Sequence, residues 1–101
     1  MKILLMCANG LSTGILMNKM NDWGKKNGVE LEVRAVPVVD CAGIYKEYDC
    51  LLIGPQMAYK LKEVQKIATD RPVAAINPQD YALGRVDNIM KCVNELIKGA
   101  K

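Results

Sequence analysis

The 101-residue sequence has no histidine and no phenylalanine, and its aromatic residues are Trp23 and four tyrosines. Without imidazole the chain can form neither a Cys–His catalytic pair nor a zinc site with histidine ligands, and it cannot itself carry a phosphohistidine. So few aromatic rings leave no base-stacking platform. Net charge is mild as well: 14 Lys and Arg against 11 Asp and Glu give +3, and lysines adjoin only at Lys25-Lys26. A nucleic-acid binder's polybasic footprint is therefore missing. No apolar run approaches the ~20 residues that a bilayer span requires, and nothing at the start resembles a signal peptide. The four cysteines, Cys7, Cys41, Cys50 and Cys92, are widely spaced and form no C-x-x-C pair, which predicts free thiols in a reducing cytoplasm. Cys50 sits in an apolar run and Cys92 in a helical pattern, both ordinary places for buried thiols. Half of the residues are hydrophobic, with only 8 glycines and 4 prolines. These values predict one soluble domain over residues 1–101, without bilayer insertion, metal or cofactor.

What is present is concentrated at the start. Lys2-Ile3-Leu4-Leu5-Met6 reads as a buried strand, and it runs straight into Cys7-Ala8-Asn9-Gly10-Leu11-Ser12-Thr13-Gly14, after which a helix follows. This spacing puts a sulfur at the carboxyl end of a strand, against the amino end of a helix. Amides there lack helical partners and the helix dipole is positive, so the loop suits an anion and favours thiolate over thiol. Cys7 is the candidate nucleophile. Ser12 and Thr13 can cap the helix, bind an anion, or do both with one geometry.

The rest of the chain alternates strand and helix. Ile15, Leu16, Met20 and Trp23 recur at helical spacing, with Asn27-Gly28 as the stop. Residues 30–36 alternate, Leu31, Val33 and Ala35 against Glu30, Glu32 and Arg34, which predicts an edge strand. A short helix around residues 42–46 is expected, then an apolar central strand, Cys50-Leu51-Leu52-Ile53, closed by Gly54-Pro55. Met57, Leu61, Val64 and Ala68 predict a helix over residues 56–69. Residues 72–76 read as a fourth strand and 77–84 as an irregular segment. Val86, Ile89, Met90, Val93 and Ile97 give the last helix one apolar face. Alternating βα units imply a three-layer α/β/α fold on a four-stranded parallel sheet in the order 2-1-3-4. Ligands bind such sheets at the carboxyl ends where the order reverses. That point brings Cys7 and the Gly54-Pro55-Gln56 turn to one crevice, with Gln56 and Tyr59 as its lining.

The loop lacks the lysine of a Walker A motif, and there is no G-x-G-x-x-G pattern, which disfavours ATP and NAD. It resembles the C-x5-R phosphate loop of low-molecular-weight tyrosine phosphatases, but Thr13 stands at the arginine position. A hydroxyl donates a hydrogen bond without bringing charge, so hydrolysis is poorly supported. Asp80 is the conceivable leaving-group acid for such chemistry. A loop that takes phosphate without hydrolysing it fits a carrier.

The segments Ile3 to Thr13, Leu51-Leu52-Ile53-Gly54-Pro55-Gln56-Met57-Ala58-Tyr59, and Pro72-Val73 to Tyr81-Ala82-Leu83-Gly84 together resemble the IIB components of the sugar phosphotransferase system, lactose/cellobiose (chitobiose) class. Asn9 stands where that family often has a small residue and Gly14 where serine is common, and both bear on loop stiffness. The resemblance implies a cytoplasmic transferase acting on the inner face of the membrane. Cys7 would accept a phosphoryl group from a phosphohistidine on a IIA partner. The amides of Ala8, Asn9, Gly10, Leu11, Ser12 and Thr13, with the two hydroxyls, would hold it. A membrane IIC partner would present the sugar, a β-glucoside, cellobiose, lactose or chitobiose type. Leu11 either packs inward or meets a partner. The alternatives are a small cysteine phosphatase and a redox or regulatory module.

Overall fold

A computed structural model describes the backbone of residues 1–7 and 11–99, and the side chains of residues 1–6 and 14–99. Strand β1, Lys2–Cys7, lies in the middle of a parallel sheet. Strand β2, Glu32–Pro37, flanks it on one side, while β3, Cys50–Ile53, and β4, Val73–Ala75, complete the order β2-β1-β3-β4. Lys2 pairs with Glu32 and Ile3 with Cys50, while Leu51 pairs with Val73. The central position of β1 and β3 follows from their composition. Both are apolar at successive positions, and a strand covered on two faces needs that.

Side chains leave the sheet alternately. Ile3, Leu5, Val33, Cys50 and Leu52 form one core with Leu16, Met20, Ile89, Met90 and Val93. These come from α1, Leu11–Lys26, and α5, Val86–Gly99. Leu4, Met6, Leu51 and Ile53 face the other way, onto a second core with Cys41, Val64 and Ala68. That layer is built by α2, Cys41–Ile44, and α3, Leu61–Ile67. The expected three layers and strand order are therefore present.

Several elements differ from expectation. The helix expected over residues 56–69 is divided into a 3-10 segment, Pro55–Lys60, and α3, with Met57 outside helical geometry at φ −113° and ψ 17°. Pro55 starts the turn directly after β3, so the chain must tighten before α3 can lie along the sheet. Residues 77–84, expected to be irregular, contain α4, Pro78–Leu83. Asn77 Oδ1 accepts from the amides of Gln79 (2.8 Å) and Asp80 (3.4 Å), and Gly84 ends the helix at φ +64°. Cap, proline at the first helical position and left-handed glycine together specify this helix. The short helix near residue 42 is α2, flanked by 3-10 turns at Val38–Asp40 and Tyr45–Glu47.

Strand β2 starts at Glu32, and Val36 on its charged side is buried against the second core. Ile15, expected in the buried stripe of α1, is 66% exposed. The stripe runs through Leu16 and Met20 with Trp23 packed beside them, so Ile15 is turned about 100° away. Cys92, expected to be buried, is exposed, because α5 packs through Val86, Ile89, Met90 and Val93. Among the described residues no helix is long and apolar enough to cross a membrane.

Candidate functional site

The site is built where the strand order reverses, between the carboxyl ends of β1 and β3. β1 ends at Cys7, whose backbone pairs with Pro37 of β2. On the other side the amide of Gly54 donates to the carbonyl of Met6 at 2.9 Å, so the turn after β3 is pinned to the residue before the cysteine. The amide of Ile76 in turn donates to the carbonyl of Ile53 at 2.8 Å. Gly54 itself is buried, and it turns the chain into the 3-10 segment led by Pro55. The cysteine's strand end and the Gly54-Pro55 turn are thus neighbours.

Only residues 8–10 separate β1 from α1, which begins at Leu11 and runs for 16 residues. Leu11, Ser12 and Thr13 form its first turn, where amides have no carbonyl partner within the helix. That turn contains no acidic residue, whereas Lys25 and Lys26 close the last turn. The positive end of the dipole is therefore not offset by a carboxylate, and the negative end is met by two cations. Ala8, Asn9 and Gly10 lie outside the described residues, as do the side chains of Cys7, Leu11, Ser12 and Thr13.

Gln56 and Tyr59 both stand in the 3-10 segment and face solvent. The Tyr59 hydroxyl donates to Met57 Sδ at 3.6 Å, and Lys60 Nζ lies 5.9 Å from the ring centre. Asp80 is placed in the first turn of α4, where its carboxylate accepts from Asn88 Nδ2 at 3.2 Å. That amide holds it on the α4–α5 side of the sheet, at the edge of a small recess that Ala74, Ala75 and Cys92 also line.

The other cysteines illustrate what a structural thiol looks like here. Cys50 has no exposed surface in β3, and burial, then the charge of Asp49, pushes its thiol up to about 12. Burial also raises that of Cys41, with its own backbone amide opposing and Glu63 and Asp40 adding. Neither is a nucleophile at neutral pH. Two features lie outside the apolar pattern, the Asn77-Pro78 cap with its Gly84 stop and the exposure of Ile15. The cap was legible as a pattern. The exposure was not, because it depends on how α1 is rotated against the sheet.

Comparison with known proteins agrees with this fold. Residues 2–91 match the family model described as "PTS system, Lactose/Cellobiose specific IIB subunit". Over 102 aligned residues the chain is 33% identical to the galactose-specific EIIB component of Lactococcus lactis subsp. cremoris, covering 94% of each. The cellobiose-specific EIIB component of Lactococcus lactis subsp. lactis gives the same identity and coverage. The oligo-beta-mannoside-specific EIIB component of Bacillus subtilis is 40% identical over 67 residues, 66% of this chain and 65% of that protein. Among solved structures, the lactose-specific IIB domain of Streptococcus pneumoniae superposes with a TM-score of 0.83 at 20% identity, covering 94% of this chain and 95% of that one. The cellobiose-specific IIB component of Borrelia burgdorferi gives 0.82 at 21% identity, covering 100% and 94%. The fold is shared with these two, and it is like that of low-molecular-weight tyrosine phosphatases. With its family model matched from residue 2 to residue 91, the chain belongs to the lactose/cellobiose-specific IIB family of the sugar phosphotransferase system.

Proposed function

We propose that this chain is a phosphoryl carrier that works through a phosphocysteine at Cys7. The observation that carries this is the placing of Cys7 at the end of the central strand, just before a helix whose first turn holds no carboxylate. The Cys7 thiolate attacks the phosphorus of a phosphohistidine on a IIA protein. The S–P bond forms as the N–P bond breaks, and the electron pair stays on the departing imidazole nitrogen. Amides of residues 8–13 and the Ser12 and Thr13 hydroxyls hold the phosphoryl oxygens. A sugar hydroxyl bound by a membrane IIC protein then attacks. Its O–P bond forms, the S–P bond breaks to return the thiolate, and the hydroxyl proton passes to solvent or a IIC base. Gln56 and Tyr59 line the approach to the sulfur from the β3 side.

No histidine is needed, since the imidazole belongs to the donor. The sugar is a β-glycoside or galactoside of the sort for which the relatives are named, selected by IIC, and the chain acts at the cytoplasmic face of the membrane. Thr13 in place of an arginine argues against a phosphatase, because the loop brings no guanidinium to stabilise the transition state of hydrolysis. Intact mass after incubation with phosphorylated IIA tests the proposal. One added phosphoryl group is expected, and Cys7→Ser is expected to abolish it. A wild-type chain that stays unmodified beside a competent donor, or steady release of inorganic phosphate, would refute the carrier role.

A further inference from the structure

Two large apolar side chains, one near the start of α1 and one at the end of α4, face water. Ile15 is 66% exposed and lies one turn into α1, about 6 Å along its axis from Leu11. Leu83 is 61% exposed at the end of α4. Between these helices opens a recess of about 210 Å³, lined by Ile15, Leu16, Lys19, Tyr81, Ala82 and Gly84. Lys19 bridges this recess to a second one that contains Arg85, and its ammonium lies over Gly84. Among the described residues no carboxylate forms an ion pair with Lys19 or Arg85. Asp22 and Asp87 line the second recess, and Asp87 accepts the indole N–H of Trp23. The pattern is an apolar centre beside the early turns of α1, with a rim in which Lys19, Lys26 and Arg85 outnumber Asp22 and Asp87.

Four other exposed apolar side chains are divided between the two ends, and Ile67, 37% exposed, closes α3 ahead of β4. Val39 and Tyr59 follow the carboxyl ends of β2 and β3. Met1 and Val29, which precede β1 and β2, are each only 36% exposed.

We propose that the α1–α4 face is the docking surface for the phosphorylated donor protein, with Ile15 and Leu83 as apolar anchors and Lys19 and Arg85 as the charged rim. This rests on the phosphocysteine reading. Charge selects the occupant. A loaded donor arrives carrying a dianionic phosphoryl group, whereas the acceptor presents a neutral sugar hydroxyl. Lys19 and Arg85, which no described carboxylate pairs, therefore favour the loaded donor and release it once the charge has moved to Cys7. Burying exposed apolar anchors supplies the sequence-independent part of the contact.

The test compares Ile15→Asp, Leu83→Asp and Lys19→Glu with wild type and with Val29→Glu at the opposite end. Phosphoryl acceptance is timed by intact mass with limiting phosphorylated IIA. Each of the three is expected to lower the second-order rate constant about tenfold, with Val29→Glu unchanged, and the Lys19→Glu effect is expected to shrink in high salt. Once loaded at high donor concentration, the variants are expected to deliver phosphate to sugar through IIC vesicles at the wild-type rate. Unchanged acceptance in correctly folded variants would overturn the docking face while leaving the carrier reading intact. So would an equal loss at the IIC step, or a dimer of this chain that the same substitutions dissociate. A wild-type chain that accepts no phosphate fails the carrier reading instead.

Discussion

Cys50 shows how one buried group ties stability to pH. Its thiol is pushed up to about 12, chiefly by burial and then by Asp49, whereas an unfolded cysteine ionises near ~8.5. Below that lower value both states hold the proton and the contribution is complete. Above it the unfolded chain sheds a proton that the folded chain keeps, so stability falls as pH rises. The urea midpoint is expected to drop between neutral pH and about pH 10, and Cys50→Ala is expected to flatten that drop relative to wild type. A parallel pH profile in the two proteins would contradict the assignment. The sequence was legible here, since Cys50 sits in an unbroken apolar run. Cys92 was not, because one step around α5 separates a buried position from an exposed one.

Among the elements, α4 has the sharpest end signals and no apolar stripe to announce it. Six residues carry too little apolar periodicity to announce a helix, so its evidence lies wholly in the caps. Asn77→Ala is expected to cost about 1 kcal/mol of stability by removing the acceptor for two amides. Gly84→Ala is expected to cost about 1 kcal/mol, since φ is +64°, while Lys19 Nζ, 2.5 Å from the new Cβ, can swing aside. Adding Lys19→Ala is expected to recover little of that loss, so a double-mutant cycle in urea assigns it to the backbone. The 3-10 segment after β3 failed for a related reason. Met57 fits a helical stripe by spacing, yet Gly54 is anchored to Met6 and the chain must first climb out of the sheet.

At the scale of the whole molecule, strand order and layering were legible because apolar runs and alternation encode burial directly. The two sheet edges are protected unequally. On β2, the side-chain amide of Asn21 stands in for a missing strand: Oδ1 accepts from the amide of Val33 at 3.2 Å, and Nδ2 donates to its carbonyl at 3.5 Å. Glu32 and Arg34 add exposed charges along that edge. On β4, Gln65 Nε2 reaches only the carbonyl of Val73, at 3.4 Å. Asn21→Leu is expected to destabilise the fold by about 1–2 kcal/mol and to speed hydrogen exchange at the Val33 amide, as NMR can measure. Unaltered exchange there would mean that water replaces the side chain at no cost. The middle position of β1 carries a consequence for synthesis. Its partners, Glu32 to Pro37 and Cys50 to Ile53, are translated well after it. A nascent chain that has released only the cysteine loop and α1 holds that strand with both flanks bare. It must wait on the ribosome until Ile53 and Gly54 have emerged before the end that carries Cys7 can set.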